Sequence, residues 1–124
     1  MLKAEELTRA IIGAAIEVHR SLGPGLLEST YEVCLCRELD ILGLRYKRQL
    51  SLPVSYKGQQ LDAGYRIDLL VEDEVVLELK CVEAITDLHR AQPLTYLKPS
   101  GKQVGLLLNF NTPVMKDGIT RMVL

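Results

Sequence analysis

Tyr65-Arg66-Ile67-Asp68-Leu69-Leu70-Val71, then Glu72-Asp73-Glu74, then Val75-Val76-Leu77-Glu78-Leu79-Lys80-Cys81-Val82: this stretch decides the fold. Both flanking runs are short and rich in apolar and β-branched residues, and an acidic link separates them, which is the pattern of a β-hairpin. Side chains alternate faces along a strand, so Glu78 and Lys80 point the same way. A three-residue loop sets Val71 opposite Val75 and, counting back, Asp68 opposite Glu78, with Cβ atoms roughly 4.5–5.5 Å apart. A two-residue turn would instead pair Asp68 with Leu77 and send the two acids to opposite faces.

In the first register two acids and a lysine converge in an otherwise apolar sheet. Carboxylates this close repel unless positive charge sits between them. Lys80 alone could supply it, as a structural ion-pair cluster. A divalent cation could also supply it. Two carboxylates, a strand carbonyl and waters make an incomplete oxygen shell of the kind Mg2+ accepts, with positions open for a phosphate. Lys80 would then orient or deprotonate an attacking water, or neutralise charge in the transition state.

The spacing Asp-x9-Glu-x-Lys across a hairpin resembles the core motif of the PD-(D/E)XK nuclease superfamily. Gly25-Leu26-Leu27-Glu28-Ser29-Thr30-Tyr31 reads G-x-x-E-x-x-Y. With His19-Arg20-Ser21-Leu22-Gly23-Pro24 before it, this segment resembles the small prokaryotic GxxExxY proteins of that superfamily. Gln92 with Tyr96 (Q-x-x-x-Y) and the Leu-Leu-Asn-Phe-Asn run ending at Asn111 are further matches, so the similarity spans nearly the whole chain.

The resemblance implies an α/β, restriction-endonuclease-like core, a mixed β-sheet flanked by helices, with residues 1–124 as one domain. It implies a Mg2+- or Mn2+-dependent nuclease that hydrolyses phosphodiester bonds of DNA or RNA. Asp68 and Glu78 would hold the metal, with Glu28 as a helix-borne accessory ligand, and Lys80 would position or activate water. Gln92 and Tyr96 would hold the scissile phosphate, and Tyr31 would join them or else pack in the core with a satisfied hydroxyl. The reading from another class is a non-catalytic nucleic-acid- or protein-binding module that has kept the fold.

Length and composition fit this frame. A chain of 124 residues is close to the modal domain size. No apolar run reaches the roughly 18–20 residues of a membrane span. The acidic, amphipathic start is unlike a signal peptide, so a cytoplasmic location is expected. Cys34, Cys36 and Cys81 are odd in number and match neither a zinc site nor a redox pair, which suits free thiols. The formal charge of −1 gives no basic surface for non-specific DNA binding. Arg45, Lys47 and Arg48, and Lys98 with Lys102, are the local basic groups. A homodimer is compatible with so small a domain, which alone offers a shallow surface to a duplex.

Periodicity places the remaining elements. A helix is predicted over 4–20 with Leu7, Ile11, Ala14 or Ala15 and Val18 on its buried stripe, stopped by Leu22-Gly23-Pro24-Gly25. A second is predicted over about 26–42, with Leu27, Tyr31, Leu35, Leu39 and Leu42 on one face. A strand over 45–56 bends at Pro53, Lys57-Gly58 turns, and strands over 60–71 and 75–82 make the hairpin. A helix covers approximately 87–98. Pro93 implies either a kink or a start near that residue, which would leave Gln92 at the cap. Residues 104–110 read as a strand buried on both faces and parallel to 75–82, and 119–123 as a last strand.

Several side chains keep two readings. Glu28 near a helix start also suits the helix dipole, and His19 at a helix end suits it with the opposite charge. Asn109 and Asn111 read as turn residues after a strand. Arg66 could pair with a carboxylate, a phosphate or a rim partner.

Overall fold

The structure, a computed structural model, describes residues 4–124; Met1–Lys3 and the side chains of Tyr96 and Pro99 lie outside what it describes. In chain order the elements are α1 (Ala4–Leu22), α2 (Glu28–Ile41), β1 (Tyr46–Ser51), β2 (Val54–Tyr56), β3 (Gln59–Leu61), β4 (Arg66–Val71), β5 (Val75–Lys80), α3 (Asp87–Leu97), β6 (Val104–Asn109) and β7 (Ile119–Val123). Five strands form one sheet in the order β1-β4-β5-β6-β7, with β5 and β6 parallel and the other pairs antiparallel. This is the mixed α/β, restriction-endonuclease-like arrangement expected from the sequence.

The hairpin takes the three-residue loop. Val71 pairs with Val75, Leu70 with Val76 and Leu69 with Leu77. Glu72 and Asp73 adopt positive φ of 50° and 55°, as the turns that match strand twist require. The Glu74 amide donates to the Val71 carbonyl at 3.0 Å, so Glu74 is the residue left out of the pairing.

The sheet separates two apolar layers. Leu69, Val71, Leu77, Leu79, Leu106, Leu108 and Phe110 pack against Leu7, Ile11, Ala15 and Val18 of α1 and Tyr31, Leu35 and Leu39 of α2. A smaller cluster on the other side joins Ile67, Leu70 and Val76 to Leu97 of α3. The predicted stripe of α1 is buried as expected. That of α2 is buried only in its middle, since Leu27 and Leu42 remain 74% and 49% exposed.

Two expected elements are shorter than the sequence pattern. The strand over 45–56 breaks at Leu52-Pro53, where proline has no amide to give a ladder. The strand over 60–71 is interrupted between Leu61 and Arg66, where Gly64 takes φ 80° and donates to Asp62 Oδ1 at 3.0 Å. Residues 54–61 consequently form a separate two-stranded arm, β2 with β3. In α3, Thr86 and His89 make a reciprocal capping box at 3.2 and 3.0 Å. The helix therefore starts upstream of Pro93, and Gln92 is mid-helix rather than at the cap. Among the described residues no helix is long and apolar enough to cross a membrane.

Candidate active site

Asp68 is the residue at which both of its ladders lapse. Against β1 the pairing passes from Arg48↔Leu69 to Leu50↔Ile67, skipping Gln49 and Asp68. Against β5 it ends at Leu69↔Leu77. Gln49 sits at φ 50°, a left-handed conformation that a glutamine rarely adopts within a strand. The alternation of β4 slips here too: Ile67 packs with the α3-side cluster, whereas Leu69 and Val71 pack on the other side.

The carboxylate of Asp68 takes up the bonds the backbone gives up. Its Oδ2 accepts from the Leu79 amide at 2.8 Å and its Oδ1 from Gln49 Nε2 at 3.3 Å. The Leu79 amide belongs to the peptide group that joins Glu78 to Leu79, so Asp68 is held against the backbone of the second acid. Glu78 itself is buried, and Lys80 half-buried.

A network from α2 completes the surroundings. Glu32, buried in α2, accepts from Arg48 Nη2 at 2.9 Å and Nε at 3.1 Å on one oxygen and from Gln49 Nε2 at 2.7 Å on the other. Gln49 thus bridges two carboxylates, Glu32 and Asp68, through one amide nitrogen. Glu28 lies one helical turn before Glu32 and hence on the same side of α2.

The electrostatics are short of positive charge. Burial raises the Asp68 pKa above the ordinary carboxylate value, and Glu32 raises it further. The Leu79 amide, the Gln49 amide and Lys80 work in the opposite direction. Partial desolvation raises that of Glu28, with Asp68 and Glu32 adding to the rise and Lys80 opposing it. Asp68, Glu28, Glu32 and Lys80 therefore feel one another's charge in one site. Glu32, Arg48 and Gln49 are the members the sequence reading missed. The available signal was Glu32 standing four residues after Glu28 on one helix.

Other sequence-predicted residues divide. Tyr31 is fully buried and stacked on Phe110, with ring centroids 4.5 Å apart at 11°. Its hydroxyl donates to the Gly23 carbonyl at 2.6 Å and accepts from the Leu26 amide at 3.1 Å. This corrects its expected phosphate contact: Tyr31 holds the turn that delivers Glu28 to the start of α2. Gln92 is exposed on α3 and lines a hollow of about 170 Å³ with Tyr65, Leu88, Ala91 and Thr95. The hydrogen bonds that join Asp68 to β1 and α2 do not extend to it. Tyr96 lies on α3, its side chain outside the described residues.

His19 ties α1 to the segment after β6 through Nε2···O of Thr112 at 2.7 Å, and Arg66 Nη1 donates to Ser51 Oγ at 2.8 Å. Asn109 does more than end a strand. Its Oδ1 accepts from the Val82 amide at 3.1 Å, and its Nδ2 donates to the Val82 carbonyl at 2.9 Å. That continues the pairing of β6 past Lys80 and fixes the exit of β5.

The donor set has a clear chemical preference. Asp68, Glu78 and Glu28 offer hard carboxylate oxygens, with no thiol or imidazole among them, which suits Mg2+ or Mn2+ rather than zinc. Among the described residues no three His, Cys, Asp or Glu side chains are gathered closely enough to hold a metal.

The sequence profile of the PD-(D/E)XK nuclease superfamily matches residues 5–122. The chain belongs to this superfamily. No curated protein and no solved structure matches it. Nucleases of the superfamily act on nucleic acid, generally with divalent metal ions, and this membership covers the hairpin, the α2 acids and the β6 asparagine alike.

Proposed function

We propose that this chain is a small metal-dependent nuclease of the GxxExxY kind, acting as one domain and cleaving phosphodiester bonds of DNA or RNA in the cytoplasm. Asp68 and Glu78 would hold Mg2+ or Mn2+, with Glu28 as accessory ligand, directly or through water. The bound cation would polarise the scissile phosphate and lower the pKa of a water molecule. Lys80, beside the two acids, would orient that water and offset charge as it builds on the phosphate oxygens. The Glu32–Gln49 pair would keep the Asp68 carboxylate aimed, because the Gln49 amide donates to both acids. Gln92 and Tyr96, on α3, would steady the substrate.

The observation that carries this reading is Asp68 itself. This strand residue gives up its place in both backbone ladders, and its carboxylate, held by the Leu79 and Gln49 amides, lies close enough to Glu28 and Lys80 for their charges to interact. A binding module has no need for it. The test is cleavage of single- and double-stranded DNA and RNA by purified protein with Mg2+ or Mn2+, beside Asp68→Ala and Lys80→Ala. Metal-dependent cutting lost in both variants supports the reading. Cutting that survives Lys80→Ala removes lysine from the mechanism, and binding without cutting by any of the three turns the assignment to the binding module.

A further inference from the structure

The arm β2–β3 leaves the sheet at the end nearest the acids. Its root is the pair Ser51↔Arg66, two residues beyond Gln49 and Asp68, closed by the Leu52 amide donating to the Tyr65 carbonyl at 2.9 Å. Tyr65 is thus about 10 Å along the strand from Asp68. Across from it, Leu88, Ala91, Gln92 and Thr95 of α3 complete a hollow of about 170 Å³. At the arm's tip the Lys57 ammonium lies 5.4 Å from the centre of the Tyr56 ring.

Two properties of this surface point the same way. Tyr56 and Tyr65, at 59% and 44% exposure, are the exposed aromatic rings among the described residues, and both belong to the arm or its root. Net positive charge, by contrast, is lacking. Arg48 is committed to Glu32, Arg45 to Glu72 and Arg90 to Asp87, and the formal charge is −1. Duplex binding draws its affinity from many phosphate contacts, whereas single strands are held by stacking their bases on aromatic rings. Exposed rings beside a weakly charged site fit the second mode.

We propose that the Tyr65 hollow and the Tyr56–Lys57 tip receive unpaired bases, so that the substrate of the Asp68 site is single-stranded nucleic acid. Tyr65 stacks on a base next to the scissile nucleotide, the Gln92 amide meets its hydrogen-bonding edge, and Lys57 takes a neighbouring phosphate. This names a substrate class for the proposed nuclease and rests on that reading; its test reads binding rather than cleavage.

Fluorescence anisotropy without divalent metal would compare labelled 20-mer single strands, DNA and RNA, with duplexes of the same sequence. The expected result is single-strand affinity at least tenfold above duplex affinity. Tyr65→Ala should weaken single-strand binding about tenfold, as for one lost base stack, and leave duplex binding unchanged, while Tyr65→Phe restores it. Gln92→Ala, a solvent-side change, provides a second variant if Tyr65→Ala fails to fold. Equal or tighter duplex binding, no binding to either form, or single-strand binding insensitive to both alanine variants overturns the inference. The nuclease reading is judged separately: single-strand preference without metal-dependent cutting removes the catalysis and leaves this binding mode standing.

Discussion

Tyr31→Phe separates a structural tyrosine from a substrate contact, because the change removes one hydroxyl and nothing else. The ring remains stacked on Phe110 and fully buried, so no apolar burial is lost. What goes is the donor to the Gly23 carbonyl and the acceptor for the Leu26 amide. A backbone group left without its partner in a protein interior costs about 1–3 kcal/mol. Leu26 is 40% exposed, so water can partly replace the hydroxyl there. The low end then applies to each group, and the pair costs about 2 kcal/mol. For a chain of 124 residues that lowers Tm by about 8 °C. Thermal melting followed by circular dichroism measures this directly. The same turn sets the position of Glu28, so cleavage should fall several-fold while oligonucleotide affinity changes little. A variant with unchanged Tm and clearly weaker substrate binding would refute the reasoning and return Tyr31 to the phosphate.

The acids carry a pH signature. The folded pKa values of Asp68 and Glu28 are raised, so their favourable contribution is complete below the unfolded carboxylate pKa and is lost as pH rises through the folded values. Asp68→Asn should therefore gain Tm relative to the parent between about pH 4 and pH 7; a pH-independent difference would sink the idea. Mg2+ at tenfold its Kd should stabilise the parent by about 1.4 kcal/mol and the Asn variant hardly at all, as read by melting with and without metal. Glu32→Ala leaves Gln49 without one acceptor and Arg48, 46% exposed, free to turn to water. It should cost about 1–2 kcal/mol in urea unfolding and sharply reduce cleavage; full activity in a destabilised variant would exclude a positioning role. At Gly118 an added Cβ would lie 2.0 Å from the Asn109 carbonyl oxygen. Gly118→Ala should thus lose about 2–3 kcal/mol, and wild-type stability would show that this contact relaxes easily.

What the sequence made legible is what neighbours in the chain decide. The α1 stripe, the Gly23 stop, the continuous apolar run of β6 and the three-residue loop after Val71 all depend on residues within a few positions of one another. Each is found where the pattern predicts it. The start of α3 was equally local: the Thr86–His89 capping box opens the helix at Asp87, where the pattern places it, and Pro93 does not delay that start. Pro93 constrains one turn of a helix, whereas the box determines where the helix begins.

Asp68, Glu28 and Lys80 lie close enough to feel one another's charge, while Glu32, Arg48 and Gln49 around them, and the way Asp68 is held, were not legible. Counting back from the loop puts Asp68 level with Glu78, and an unbroken ladder would make them cross-strand partners. Instead the ladder stops one pair short, and Asp68 reaches the peptide after Glu78 with its side chain. That arrangement requires Gln49 in a left-handed conformation and Glu32 docked from α2, both contributed by segments far from the hairpin. No local propensity announces a glutamine at φ 50°, since tertiary contacts hold it there. The strain at Gln49 and the raised pKa of Asp68 belong together. Both accompany a carboxylate withdrawn from its ladders into a half-buried site, and a cation bound at Asp68 would offset the burial cost, so metal should stabilise the parent more than Asp68→Asn.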